Sequence, residues 1–324
     1  MCTAVSINGT NHYFGRNLDL EYSYQEQVTV TPRSYPFSFR HTGRLQNHFA
    51  MIGMATVVDD QPLYYEATNE KGLSIAGLNF PGNAVYHPPT EGKINIAPFE
   101  LIPYLLGQCR NVVDAEALLK DMNITDTPFS DQYPLTPLHW IISDKDRSIV
   151  AEPMADGLRL YDDPVGVLTN NPPFDFHLHN LANHLNVSPL PATNRLSDRY
   201  ELKPFSNGMG GIGLPGDYSS ASRFVKATFV KLNSVAGDSE EDQVSQFFHI
   251  LSAVEMPRGS VLIRPGDYEI TLYSCCCNTD TGVYYYRTYQ NSAITGIDLH
   301  REDLDSESLV RYPLKSTLSI EIEN

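Results

Sequence analysis

The chain has 324 residues, 41% of them hydrophobic and 19% charged, with a formal net charge of −16. That is enough for one large domain or two ordinary ones, and the composition is globular rather than disordered or fibrous. A negative balance with no run of Lys and Arg excludes a nucleic-acid partner, and no stretch is long and apolar enough to span a bilayer.

The opening, MCTAVSINGTNHYFGRNLDLEY, predicts a hairpin with a two-residue turn at Asn8-Gly9, because Asn-Gly suits positive φ at both turn positions. Cys2 then stands at the outer end of the first strand. LYYEA, NEKG and LSIAGLNF predict a second strand–turn–strand. Two helices come next, in PFELIPYLLGQC and VVDAEALLKDM. LHWIIS, DKDR and SIVAEP predict a third hairpin, and VGVLTNNPP predicts a strand ending in two asparagines ahead of two prolines. After a glycine loop come two more helices. SRFVKATFVKLNSV is capped by Ser219 or Ser220 and carries Arg223 near its start. SEEDQVSQFFHILSAVE opens on a capping-box pattern, Ser239 and Asp242, and repeats Val244, Phe247, Phe248 and Leu251 on one face. GVYYYRTYQ is a late strand. Sheets, two helices, sheets, two helices and sheets predict a layered α+β domain with helices outside two sheets, not a strict βαβ alternation. With no repeat, low-complexity tract or linker, one domain over residues 1–324 is expected.

Five cysteines, three of them consecutive (Cys275, Cys276, Cys277), do not suit a secreted disulfide framework. The triplet predicts small buried side chains on alternating faces of a strand. Polar residues break the opening run by Asn8 and Gly9, so no signal peptide is expected and the cytoplasm is the economical address. Cys2 has two readings: an incidental thiol, or a residue whose amine is freed when Met1 is removed. In the second, an amine with a pKa of about 8 sits beside a thiol of about 8.5 and serves as its general base. Arg16 and Asp19 are three apart, so on a flat strand they face opposite ways; the chain must turn around Asn17 for both to reach one pocket. Asn79, with Asn170 or Asn171, offers amide donors for a developing oxyanion.

Gly211 to Gly216 spell G-x-G-x-x-G, but no strand precedes them and Pro215 sits where a helix should begin. A pocket wall suits them better than a dinucleotide site. His177, His179 and His184 lack the carboxylates or cysteines that would complete a metal centre, so no metal or cofactor is expected.

In chain order, MCTAVSINGTNHYFGRNLD, NEKGLSIAGLNF, PLHWIISDKDRSIVAEP, PVGVLTNNP, GMGGIGLPGDYSSASRFVKATF and GVYYYRTYQNSAITGID resemble the choloylglycine hydrolases, in particular bacterial bile salt hydrolases. The resemblance covers nearly the whole chain. It implies the four-layer αββα sandwich of the N-terminal nucleophile hydrolases. It implies Cys2 as nucleophile with its own amine as base, Arg16 and Asp19 flanking it, and Asn79 and Asn170 as donors to the tetrahedral intermediate. Arg223 would complete the charged pocket, and Leu20, Tyr24, Tyr65 and Phe129 would hold a steroid unless they simply pack the core. Conjugated bile salts are then the substrates and a homotetramer the assembly, with no nucleic acid and no membrane. Penicillin V acylase is the nearest alternative, and Asn79, where that subgroup tends to carry Tyr, favours bile salts. An inactive steroid- or acyl-binding protein is the alternative from another class.

Overall fold

The computed structural model describes residues 1–324. Its first two strands, β1 (Cys2–Asn8) and β2 (His12–Leu20), pair antiparallel with Cys2 opposite Leu18 and Ala4 opposite Arg16. The turn differs from the expected two-residue form. Asn8 stays in the ladder opposite His12, and residues 9–11 close the hairpin through Gly9 N donating to Asn11 O at 2.8 Å. Neither Asn8 nor Gly9 takes a positive φ. The Asn8 amide instead donates to Lys145 O at 3.0 Å, which ties it to a neighbouring turn.

The strands β3 (Gln27–Thr31), β4 (Met51–Val58), β5 (Gln61–Asn69), β6 (Ser74–Asn79), β7 (Leu138–Ser143), β8 (Ser148–Met154) and β9 (Gly157–Asp162) precede β10 (Val167–Leu168). Near the end come β11 (Ile270–Asn278), β12 (Val283–Thr288), β13 (Thr295–Asp298) and β14 (Val310–Pro313). One sheet has six strands in the order β10-β1-β2-β11-β12-β13; the other has eight, β9-β8-β7-β6-β5-β4-β3-β14. Their inner faces meet in one apolar core. Ala4, Phe14, Leu18, Cys275 and Cys277 pack there against Val28, Ile52, Met54, Leu78 and Ile141.

Of the helices α1 (Leu101–Gln108), α2 (Val112–Lys120), α3 (Phe174–Asn180), α4 (Ser220–Leu232) and α5 (Glu240–Ser252), the first two cover the eight-stranded sheet. Leu101, Leu105 and Leu106 pack there on Ile75, Trp140 and Ile142. On the six-stranded sheet, Val244, Phe247, Phe248 and Leu251 of α5 meet Val5, Tyr13 and Cys276. This is the αββα order. The cysteine triplet alternates as expected, with Cys275 and Cys277 between the sheets and Cys276 under α5.

Two bulges shape the region around the end of β1. Asp19 pairs with Thr271 and Leu18 with Tyr273, so Leu272 is an extra residue in β11. Ala55 pairs with Tyr64 and Met54 with Glu66, so Tyr65 is an extra residue in β5. An extra residue breaks the alternation of faces, which lets the consecutive Tyr65 and Glu66 both turn between the sheets.

Candidate active site

Cys2 begins β1 with its side chain buried on the inner face. β2 runs unbroken to Leu20, so alternation puts Arg16, Leu18 and Leu20 inward with Cys2, and Asn17 and Asp19 outward. The chain does not turn around Asn17; that residue is locked to the outer layer, its amide donating to Leu251 O of α5 at 3.0 Å and its oxygen accepting from Ser274 Oγ at 2.7 Å. Arg16 and Asp19 therefore approach the end of β1 from opposite faces of one sheet.

On the inner face, Arg16 Nη1 donates to Tyr65 O at 3.1 Å and to Gly77 O, while Nη2 is buried with no partner. Gly77 is tightly packed: a Cβ there would lie 3.0 Å from Trp140 Nε1, so the indole would have to give by a few tenths of an ångström. On the outer face, Asp19 Oδ1 accepts from Thr271 Oγ1 at 2.6 Å and Oδ2 is buried without a partner. Burial pushes this carboxyl up; the terminal ammonium foremost, then Arg223, opposes the shift. The Met1 ammonium donates to Asp19 O at 2.8 Å and meets the Glu269 carboxylate.

Arg223, buried on α4, donates from Nη1 to Cys2 O and to Thr3 Oγ1 at 2.7 Å, and from Nη2 to Asn170 Oδ1 at 2.7 Å. Ser219 caps the helix that presents it, its Oγ accepting from Ser222 N at 3.4 Å. Ser220 instead holds a neighbouring strand end, its Oγ accepting from Asn170 N at 2.8 Å.

The two asparagines part company. Asn170 Oδ1 accepts from Cys2 N at 2.9 Å, whereas Asn171 turns away to Pro81 O and Asn83 Oδ1, at 2.7 and 2.6 Å. One Asn170 amide hydrogen is taken, because Nδ2 donates to Asn79 O at 2.7 Å. Asn170 thus meets Cys2 as an acceptor. Asn79 keeps its side-chain amide unused and lines a cavity of about 280 Å³ together with Cys2 and Arg16.

Leu20, Tyr24, Tyr65 and Phe129 line the same cavity. Tyr65 Oη and Thr56 Oγ1 are 2.9 Å apart, and Arg40 fastens the far loop by donating from Nη2 to Phe129 O at 2.8 Å. Three contributors escape a reading of the sequence. Thr271 holds Asp19, Tyr218 O accepts from Arg223 Nε at 3.0 Å, and His177 Nε2 donates to Asn170 O at 2.8 Å. Of these only His177 stands out along the chain, as a histidine, and nothing in its spacing points to Asn170. His179 bonds Asp175 O in its own helix. No group of three or more His, Cys, Asp or Glu side chains is placed to hold a metal ion.

A sequence model of the linear amide C–N hydrolases, choloylglycine hydrolase family, matches residues 2–312. The bile salt hydrolase/transferase of Lactiplantibacillus plantarum is 52% identical, the match covering 98% of each chain. The conjugated bile acid hydrolase of Lactobacillus gasseri is 38% identical over 96% of this chain and 100% of that one. Among solved structures, a mutant of the conjugated bile acid hydrolase from Clostridium perfringens superposes with a TM-score of 0.92 at 36% identity over the whole of both chains. Penicillin V acylase from Agrobacterium tumefaciens gives 0.74 at 19% identity, over 96% of this chain and 90% of that one, a likeness of fold alone. By this match in sequence and structure, the chain belongs to the choloylglycine hydrolase family of linear amide C–N hydrolases.

Proposed function

We propose that the chain hydrolyses the amide bond of glycine- and taurine-conjugated bile salts, with Cys2 as nucleophile once Met1 is removed. One observation carries this reading: Cys2 opens into a largely apolar cavity while two buried arginines and a buried aspartate converge on the end of its strand. The freed α-amine takes the thiol proton, and the sulfur attacks the amide carbonyl. The Asn79 amide donates to the oxyanion that forms. As the C–N bond breaks, the ammonium returns the proton to the departing amine, leaving a thioester. The amine then takes a proton from water, whose oxygen displaces the sulfur and releases the bile acid. Asn170 Oδ1 and Asp19 hold the α-amine in this scheme, Asp19 through the carboxylate oxygen that has no partner within the chain.

Glycine release from glycocholate by protein lacking Met1, with penicillin V alongside under reducing conditions, tests the reading. Turnover of glycocholate well above penicillin V supports it. Turnover of penicillin V alone moves the chain to acylase chemistry, and turnover of neither overturns both. The L. plantarum relative is also named a transferase, which adds a second fate for the thioester, transfer to an acceptor in place of water. It is tested by adding a free amino acid and looking for a new conjugate. A cytoplasmic address and a homotetramer complete the proposal; assembly would cover the exposed Leu185, Leu196 and Phe205, and sedimentation measures it.

A further inference from the structure

Behind Arg16 lies a carboxylate that takes no part in the reaction scheme. Glu66, 2% exposed, comes directly after the extra residue Tyr65 in β5. Without the bulge these neighbours would point to opposite faces; with it, Tyr65 lines the cavity and Glu66 reaches across to the other sheet. Glu66 Oε2 accepts from Tyr273 Oη at 2.7 Å and Oε1 from Tyr284 Oη at 2.7 Å. The Cys275 thiol lies 3.5 Å from Oε1, and Arg16 Nε 3.8 Å from Oε2. The two tyrosine hydroxyls and the Cys275 thiol donate to Glu66, while Arg16 Nε donates to Asn17 O at 3.4 Å and faces the carboxylate as a charge. This arrangement suits an ionised carboxylate. Burial pushes the carboxyl up, and Arg16 first, then the two tyrosine hydroxyls, pull it back.

Arg16 has no other carboxylate within ion-pair distance. Its remaining fixed contacts are backbone carbonyls, one of them the carbonyl of the bulged residue Tyr65. We propose that Glu66 is a positioning residue for the reaction: gripped by Tyr273 and Tyr284, it orients the Arg16 guanidinium so that the unpartnered Nη2 serves the cavity shared with Cys2. The cross-sheet network thus couples the packing of β5 on β11 and β12 to the nucleophile. This rests on the assignment of Cys2 as nucleophile.

A double-mutant cycle with Arg16→Met separates a role through Arg16 from a general structural one. In protein lacking Met1, Glu66→Gln is expected to lower kcat for glycocholate roughly 10- to 100-fold with little change in KM. In the Arg16→Met background the same change should cost less than about twofold. The rate of Cys2 alkylation by iodoacetamide, followed by mass, is read through the same cycle. Full activity of Glu66→Gln, or an equal loss in both backgrounds, overturns the proposal. If Glu66→Gln does not fold, Tyr273→Phe combined with Tyr284→Phe replaces it: a loss confined to the Arg16 background supports the assignment and an unchanged rate overturns it. A parent that releases no glycine defeats the bile-salt reading, while the alkylation cycle still decides the role of Glu66.

Discussion

Met1 turns the nitrogen of Cys2 into a peptide N–H, and that N–H donates to Asn170 Oδ1. A peptide nitrogen cannot accept the thiol proton, so in the proposed mechanism the base is lost. Protein that retains Met1, verified by intact mass, should turn over glycocholate at least about 100-fold more slowly than processed protein, the usual lower range for a lost general base. Equal turnover would remove the α-amine from the mechanism. Asn79 makes a second residue-scale prediction. Asn79→Ala should lower kcat by about 10²–10³, as loss of one oxyanion donor does, with far less effect on KM. An effect confined to KM would make Asn79 a binding residue only. The residues gathered around Cys2 are legible in the motifs, but their directions are not. Spacing along β2 implies opposite faces for Arg16 and Asp19; a turn at Asn17 is needed only if the site lies on one side of the sheet. It wraps the strand end instead. The direction of Asn170 is hidden for a similar reason: only the fold reveals that its Oδ1 faces Cys2 N while its Nδ2 donates to Asn79 O.

At the scale of elements, the start of α4 holds two serines with separable duties. Ser219 caps the helix, whereas Ser220 Oγ accepts from Asn170 N and donates to Thr169 Oγ1 at 2.9 Å. Ser219→Ala should lower stability by about 1 kcal/mol in urea unfolding and leave kcat unchanged. Ser220→Ala should lower kcat through displacement of Asn170. If the two variants behaved alike in both measurements, the helix start would act only as a scaffold. Caps and helices are readable because capping patterns and apolar periodicity are local signals. Bulges are not. LYYEA shows two adjacent tyrosines and no break in strand character, so nothing marks Tyr65 as the extra residue or turns Glu66 toward Tyr273. The short turn at Asn8-Gly9 is a local signal overruled by a distant partner, Lys145 O.

For the molecule as a whole, the net charge of −16 says little about the site, because Arg16, Asp19 and Arg223 are buried and only Arg16 meets a carboxylate, Glu66 of the other sheet. Two buried histidines give the fold a dependence on pH. Burial pulls His12 and His177 each down to about 4. His12 sits 2.8 Å from both Ser6 Oγ and Thr279 Oγ1, and His177 donates from Nε2 while its buried Nδ1 has no partner. A second proton on His177 would place a charge in a buried setting that disfavours it. Since these folded values lie below the unfolded value of about 6.5, the stabilisation from each neutral ring is present above that pH and is lost as pH falls toward 4. The loss amounts to about 2 kcal/mol per histidine by pH 5. Asp163 works the other way: burial pushes it up to about 6, so its contribution grows as pH falls from there toward the ordinary carboxylate range. A variant isolates the histidine effect from this opposing one. Urea unfolding of His12→Gln should show a stability difference between pH 7 and pH 5 that is smaller than the parent's by about 2 kcal/mol, with no change in the Asp163 contribution. His12 lies at the far end of β2 from Leu20, so the variant should keep its activity at pH 7. An identical pH dependence in parent and variant would mean that the Ser6 and Thr279 hydroxyls accommodate a charged ring.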